Sequence, residues 1–65
     1  MFFVIYRPRD KMYFAGIDQT LIGEVYLWTK HKYHAKFYKT IKDAKDEREI
    51  LCHEKRLVIE GVFNE

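Results

Sequence analysis

One stretch of this chain has the periodicity of a helix, and the segments on either side of it have the composition of strands. Thr40-Ile41-Lys42-Asp43 is a capping-box pattern, in which the Thr hydroxyl accepts from the backbone N–H of Asp43 and the carboxylate reaches back to the N–H of Thr40. From there Ile41, Ala44, Arg48, Leu51, Cys52 and Lys55 recur on one side at about 100° per residue, a narrow apolar stripe edged by long side chains. Ile50 lies off that stripe and is expected to cover a sheet edge or meet a partner. A lone helix with one apolar stripe must bury it against something else, and strands are what the rest of the chain supplies.

Residues 2–6 are aromatic and β-branched, and Arg7-Pro8-Arg9-Asp10 reads as a turn, because Pro fixes φ and has no N–H to donate. Residues 11–17 then form the second arm of a hairpin, with Gly16 marking a bulge or a close backbone approach. Asp18-Gln19-Thr20 turns the chain into a third strand over residues 21–29. Alternation there puts Leu21, Gly23, Val25 and Leu27 on one face, expected to be the core face, and Ile22, Glu24, Tyr26 and Trp28 on a half-wet one. A short strand at residues 35–38 leads to the helix, and residues 57–63 read as a final strand. The expectation is an α+β fold over residues 1–65: a small antiparallel-rich sheet of four to five strands with one helix on one face, in the order β-β-β-β-α-β. The other face stays open and apolar, which favours a homodimer or a partner.

Composition narrows the function classes. A chain of 65 residues buries only about 60% of the surface its unfolded form exposes, too little to house a second domain, a cofactor-binding βαβ unit and a lidded site. One Cys forms no internal bridge, which favours a reducing, cytoplasmic setting. The apolar run at the start is followed, not preceded, by Arg7 and Arg9, so it does not read as a signal peptide, and no apolar run approaches a membrane span. His31, His34, Cys52 and His53 are nominal metal ligands, but adjacent Cys52 and His53 diverge by about 100° on a helix and no second Cys pairs with the first. The chain has no Ser and no Gly-rich phosphate loop, and Glu47, Glu49 and Glu54 read as the wet face of the helix. No metal, no cofactor and no catalysis are expected.

The formal net charge of +2 conceals a division. Residues 1–29 are neutral overall, residues 30–45 carry Lys30, Lys32, Lys36, Lys39, Lys42 and Lys45 against Asp43 alone, and residues 46–65 are acidic. The basic block is interleaved with Tyr33, Phe37 and Tyr38 and follows Trp28 directly. Lysines with aromatics suit a phosphate backbone and its bases, or an acidic protein surface with aromatic anchors. The absence of Arg from the block weakens the nucleic-acid reading, since Arg supplies the bidentate and stacking contacts. A solvated basic edge is the structural alternative.

Trp28-Thr29, then Ala35, Tyr38, Thr40, Asp43 and Ala44 at their spacing, resemble a pattern in many short proteins encoded by bacteriophages and prophages. The pattern is a Trp-Thr pair, an Ala after five intervening residues, an aromatic three further on, a Thr two beyond it, and an acidic residue with Ala at the next turn. In those proteins hairpin strands carrying a displayed turn precede the Trp, and a helix and a strand follow the Thr. The resemblance covers the middle and last thirds of the chain, and Lys30-His31 stands where such proteins often have an acidic residue. It implies a phage origin and a fold type but no chemistry.

These readings converge on a non-enzymatic phage accessory protein of the host cytoplasm that binds and inhibits or modulates a host or defence protein with an acidic surface. The expected binding residues are Trp28, Lys30, His31, Lys32, Tyr33, Lys36, Tyr38, Lys39 and Lys42. Binding of nucleic acid or a nucleotide by the same block is the alternative, and a homodimeric assembly component the third reading.

Overall fold

A computed structural model describes residues 1–51 and 56–63. Four strands, β1 (Phe2–Arg7), β2 (Met12–Thr20), β3 (Gly23–Thr29) and β4 (Val58–Val62), make one antiparallel sheet in the order β3-β2-β1-β4. The helix α1 (Ile41–Ile50) packs across β1 and β4. The class is α+β, as the alternation of strand-type and helix-type segments requires. The expected strand at residues 35–38 is reduced to a single antiparallel bridge, Phe3 to Tyr38, preceded by one 3-10 turn at Lys32–His34.

That bridge sits where β1 and β2 part company. The two strands pair at Arg7 with Met12 and at Tyr6 with Tyr13, and then the register stops. Tyr38 N–H donates to Phe3 C=O and Phe3 N–H donates to Tyr38 C=O, both at 2.8 Å, while Lys36 N–H donates to Phe14 C=O at 2.9 Å. Residues 36–38 therefore act as a wedge, satisfying backbone groups that the splayed strands would otherwise leave unpaired in the interior. On its other side β1 pairs continuously with β4, from Phe2 with Val62 to Tyr6 with Val58.

The core is Ile5, Phe14, Tyr38, Ala44, Leu51 and Leu57, with Phe3, Ile17, Tyr26, Trp28 and Ile59 packed around it. Tyr26 and Trp28 thus line the core side of β3, whereas Val25 and Leu27 point outward and are 43% and 42% exposed, the reverse of the expected assignment. The register on β2 explains the inversion. Trp28 faces fully buried Phe14 and Tyr26 faces Ile17, and a bulge between Phe14 and Gly16 brings Phe14 and Ile17 to the same side although three positions separate them. Phe14 meets Trp28 edge-on at 5.5 Å and Tyr26 at 6.3 Å, so the larger side chains take the buried face.

The helix begins at the expected cap, with Asp43 N–H donating to Thr40 Oγ1 at 3.1 Å, while the expected return bond from Thr40 N–H to the Asp43 carboxylate does not form. It ends at Ile50, with Leu51 as its cap, and Cys52, His53, Glu54 and Lys55 lie outside the described residues. Its buried line is narrower than the expected stripe: Ala44 and Leu51, two turns apart, are fully buried, while Ile41 is exposed at the first helical position, before the helix reaches the sheet. Ile50 is exposed, in keeping with its place off the stripe.

The second face of the sheet is not left open throughout. Val4 alternates with Ile5, so it points away from the helix, and it is fully buried. Phe37 stacks on Phe2 at 5.7 Å and Lys32 reaches Glu60, the residue opposite Val4, at 3.3 Å. The connection after β3 therefore covers this face over β1 and β4. At the end of β1, Arg7 is buried, with its guanidinium 3.9 Å from the Trp28 ring centroid and its Nε and Nη2 donating to the Asp10 carboxylate at 2.9 and 2.6 Å. These hydrogen bonds, with the guanidinium charge, hold the Asp10 carboxyl below the usual carboxylate range.

Gly16 at the bulge has φ of +132°, and a Cβ built there meets nothing within 4 Å. Gly16→Ala is expected to cost about 1–2 kcal/mol through backbone strain alone. Gly61→Ala, in ordinary strand backbone with only the flexible end of Met1 nearby, is expected to be close to neutral. Urea denaturation of the two variants measures the contrast.

Candidate partner-binding surface

The basic block is built by three successive local devices. Beyond Thr29 its Oγ1 accepts from His31 N–H at 3.1 Å, and the 3-10 turn closes with His34 N–H donating to His31 C=O at 3.0 Å. The wedge follows, and the Thr40 cap then starts the helix. The block is therefore a frame-forming segment first, and its side chains are distributed accordingly.

Of the nine residues expected to bind a partner, two turn inward. Trp28 is half-buried between Phe14 and the Arg7 guanidinium, and Tyr38 belongs to the core. Three lysines are engaged: Lys32 with Glu60 at 3.3 Å, Lys36 with Glu47 at 3.3 Å, and Lys42 with Asp46 at 3.5 Å. The last is an exposed i,i+4 pair worth only about 0.3–0.5 kcal/mol, so Lys42 stays available to other anions. Lys36 is more constrained, because its ammonium also lies 5.5 Å from the Tyr38 ring and Glu47 is half-buried on the helix. Lys30, His31, Tyr33 and Lys39 are exposed. Lys30, His31 and Tyr33 fall within four consecutive positions, Tyr33 is 75% exposed, and Lys39 follows the wedge. Lys30 and Lys39 make no ion pair among the described residues.

Sequence reasoning missed the most exposed apolar side chains among the described residues. The expected turn at Asp18-Gln19-Thr20 is strand, and the chain reverses at Leu21-Ile22 instead, both of which are fully exposed. Thr20 Oγ1 donates to Gly23 C=O at 2.7 Å and accepts from Ile22 N–H at 3.3 Å, and Gly23 takes φ of +133°. The signal was the glycine after an apolar pair: a positive φ at that point ends a tight hairpin turn, and Gly accepts it without strain.

Among the described residues no group of three or more His, Cys, Asp or Glu side chains is placed to hold a metal ion. His31 and His34 lie with ring centroids 5.1 Å apart, while Cys52 and His53 fall outside the described residues. No described helix is long and apolar enough to cross a membrane.

The Tyr38 hydroxyl is buried without a hydrogen-bond partner, and burial first, then the neighbouring Glu47 carboxylate, push its pKa well above the ordinary tyrosine value. Because the folded pKa lies above the unfolded one, the unfolded chain ionises this phenol first, so stability is independent of it below about pH 10 and falls as the pH rises further. Tyr38→Phe is expected to leave stability at pH 7 unchanged or raise it by up to about 1 kcal/mol, and to lessen the loss of stability at alkaline pH, with thermal melts as the measurement. Comparison of the chain with protein-family models, with curated proteins and with solved structures returns no match.

Proposed function

We propose that this chain is a non-enzymatic accessory protein that binds a protein partner stoichiometrically through an acidic patch on that partner and so blocks or modulates it. The observation that carries this reading is the exposure of Lys30, His31, Tyr33 and Lys39: Lys30 and Lys39 are without an ion pair among the described residues, and the Tyr33 ring is held out in solvent. Cations steer encounter with an acidic surface, and a solvent-facing tyrosine supplies the anchor that buries on contact. Bacteriophage origin and a host or defence protein as target rest on the resemblance of Trp28-Thr29 through Ala44 to small phage proteins. A setting in the host cytoplasm follows from the same resemblance and from the single Cys.

Nucleic acid or nucleotide binding is the second reading, favoured by the same lysines. Its stacking platform is reduced to Tyr33 and the His31–His34 pair, since Trp28 and Tyr38 face the core. Affinity capture from host lysate with and without nuclease separates the two. The expected result is an equimolar protein partner that survives nuclease and is lost with the Lys30→Glu, Tyr33→Ala, Lys39→Glu triple variant. Recovery of no protein overturns the proposal, and recovery that nuclease abolishes transfers it to the second reading.

A further inference from the structure

β3 is a margin of the sheet, with β2 as its only strand neighbour among the described residues. Natural margins are guarded by Lys, by Pro, by bulges or by shortness. This one has none of those devices. It runs seven residues, Gly23-Glu24-Val25-Tyr26-Leu27-Trp28-Thr29, with the bulge on β2 rather than on itself and Glu24 as its single charge. Its outward face carries Val25 and Leu27, half-exposed, and its leading end carries the fully exposed Leu21-Ile22 turn.

We infer that β3 pairs antiparallel with β3 of a second copy of this chain, about a two-fold axis at Tyr26, to give a continuous eight-stranded sheet. The sequence of the strand is self-complementary in that register. Tyr26 faces its own copy, and Val25 faces the partner's Leu27 twice over, so the outward apolar residues cover one another as cross-strand pairs. Glu24 falls opposite the partner's Trp28, never opposite the partner's Glu24. Continuing the count sets Ile22 level with the partner's Lys30. Glu24 and the partner's Lys30 become diagonal neighbours on one face, within reach of long side chains.

Charge points to the same occupant. From Met12 to Thr29 the hairpin contains Asp18 and Glu24 and no Lys or Arg, while Lys30 and Lys32 follow immediately. An antiparallel copy lays the acidic arm of one chain beside the basic start of the other at both ends of the contact. A parallel arrangement would bring like charges together. The contact shares Lys30 with the proposed partner-binding strip, whose Tyr33 and Lys39 lie outside the strand, and the lysine substitutions at Val25 and Leu27 leave that strip untouched.

Sedimentation of the purified chain is expected to show a dimer, and Val25→Lys with Leu27→Lys is expected to give a folded monomer, with unchanged circular dichroism because both side chains face outward. A cross-linking pair tests the register in a Cys52→Ala background. Chains carrying Val25→Cys mixed with chains carrying Leu27→Cys should form a disulfide readily, since directly opposed residues lie about 4.5–5.5 Å apart between Cα atoms. Val25→Cys alone should link poorly, because the two copies of that residue are diagonal, about 7–8 Å apart. A wild-type chain that stays monomeric at about 1 mM overturns the inference. So does a dimer that survives the double lysine variant, or one in which Val25→Cys alone links as readily as the mixture.

Discussion

The fold depends on the wedge at residues 36–38. β1 and β2 begin as a hairpin and separate after two paired positions, which would leave backbone groups of Phe3 and Phe14 facing a gap in the middle of the domain. Three hydrogen bonds from the wedge close it. Because successive residues of an extended segment point to opposite sides, the same three residues send Tyr38 into the helix-side core and Phe37 to the far face, where it stacks on Phe2. One short segment thus ties both strands together and contributes to both layers, an economy that a chain of this length requires. It also places Lys36 beside Glu47, pinning the wedge to the helix it precedes.

The fold class was legible because strand-type and helix-type segments differ in period, and the Thr40 cap marked the helix start to the residue. What escaped were features decided by distant parts of the chain. Alternation along residues 21–29 defines two faces but does not say which is inward; the bulge near Gly16 and the burial of Phe14 decide that, and they lie on another strand. Tyr38 and Trp28 were legible as aromatics near cations, yet only the wedge and the Arg7 guanidinium turn them into core. The lysines were legible as a block, but the acids that engage Lys32 and Lys36 are far along the chain: Glu60 on β4 and Glu47 on α1. A block that reads as one basic patch is in the fold a frame with part of its charge already answered.

The wedge also has a cost at the other end of the sheet. By occupying the place beside β2 that β1 would otherwise take, it leaves the distal half of the β2–β3 hairpin without a third strand among the described residues. Residues 18–25 are all exposed, and a bare two-stranded ribbon is marginal in water. Cross-strand contacts such as Gln19 Nε2 to Glu24 at 3.2 Å add little at an exposed site. The molecule is correspondingly long, 38 Å by 22 Å by 20 Å. A polar tip and a lysine-studded edge would let such an arm stand in solvent; this arm has Leu21, Ile22, Val25 and Leu27 instead. The missing third strand and the surplus of exposed apolar side chains are a single deficit, located on one edge. A second β3 supplies both the backbone ladder and the apolar cover at that edge.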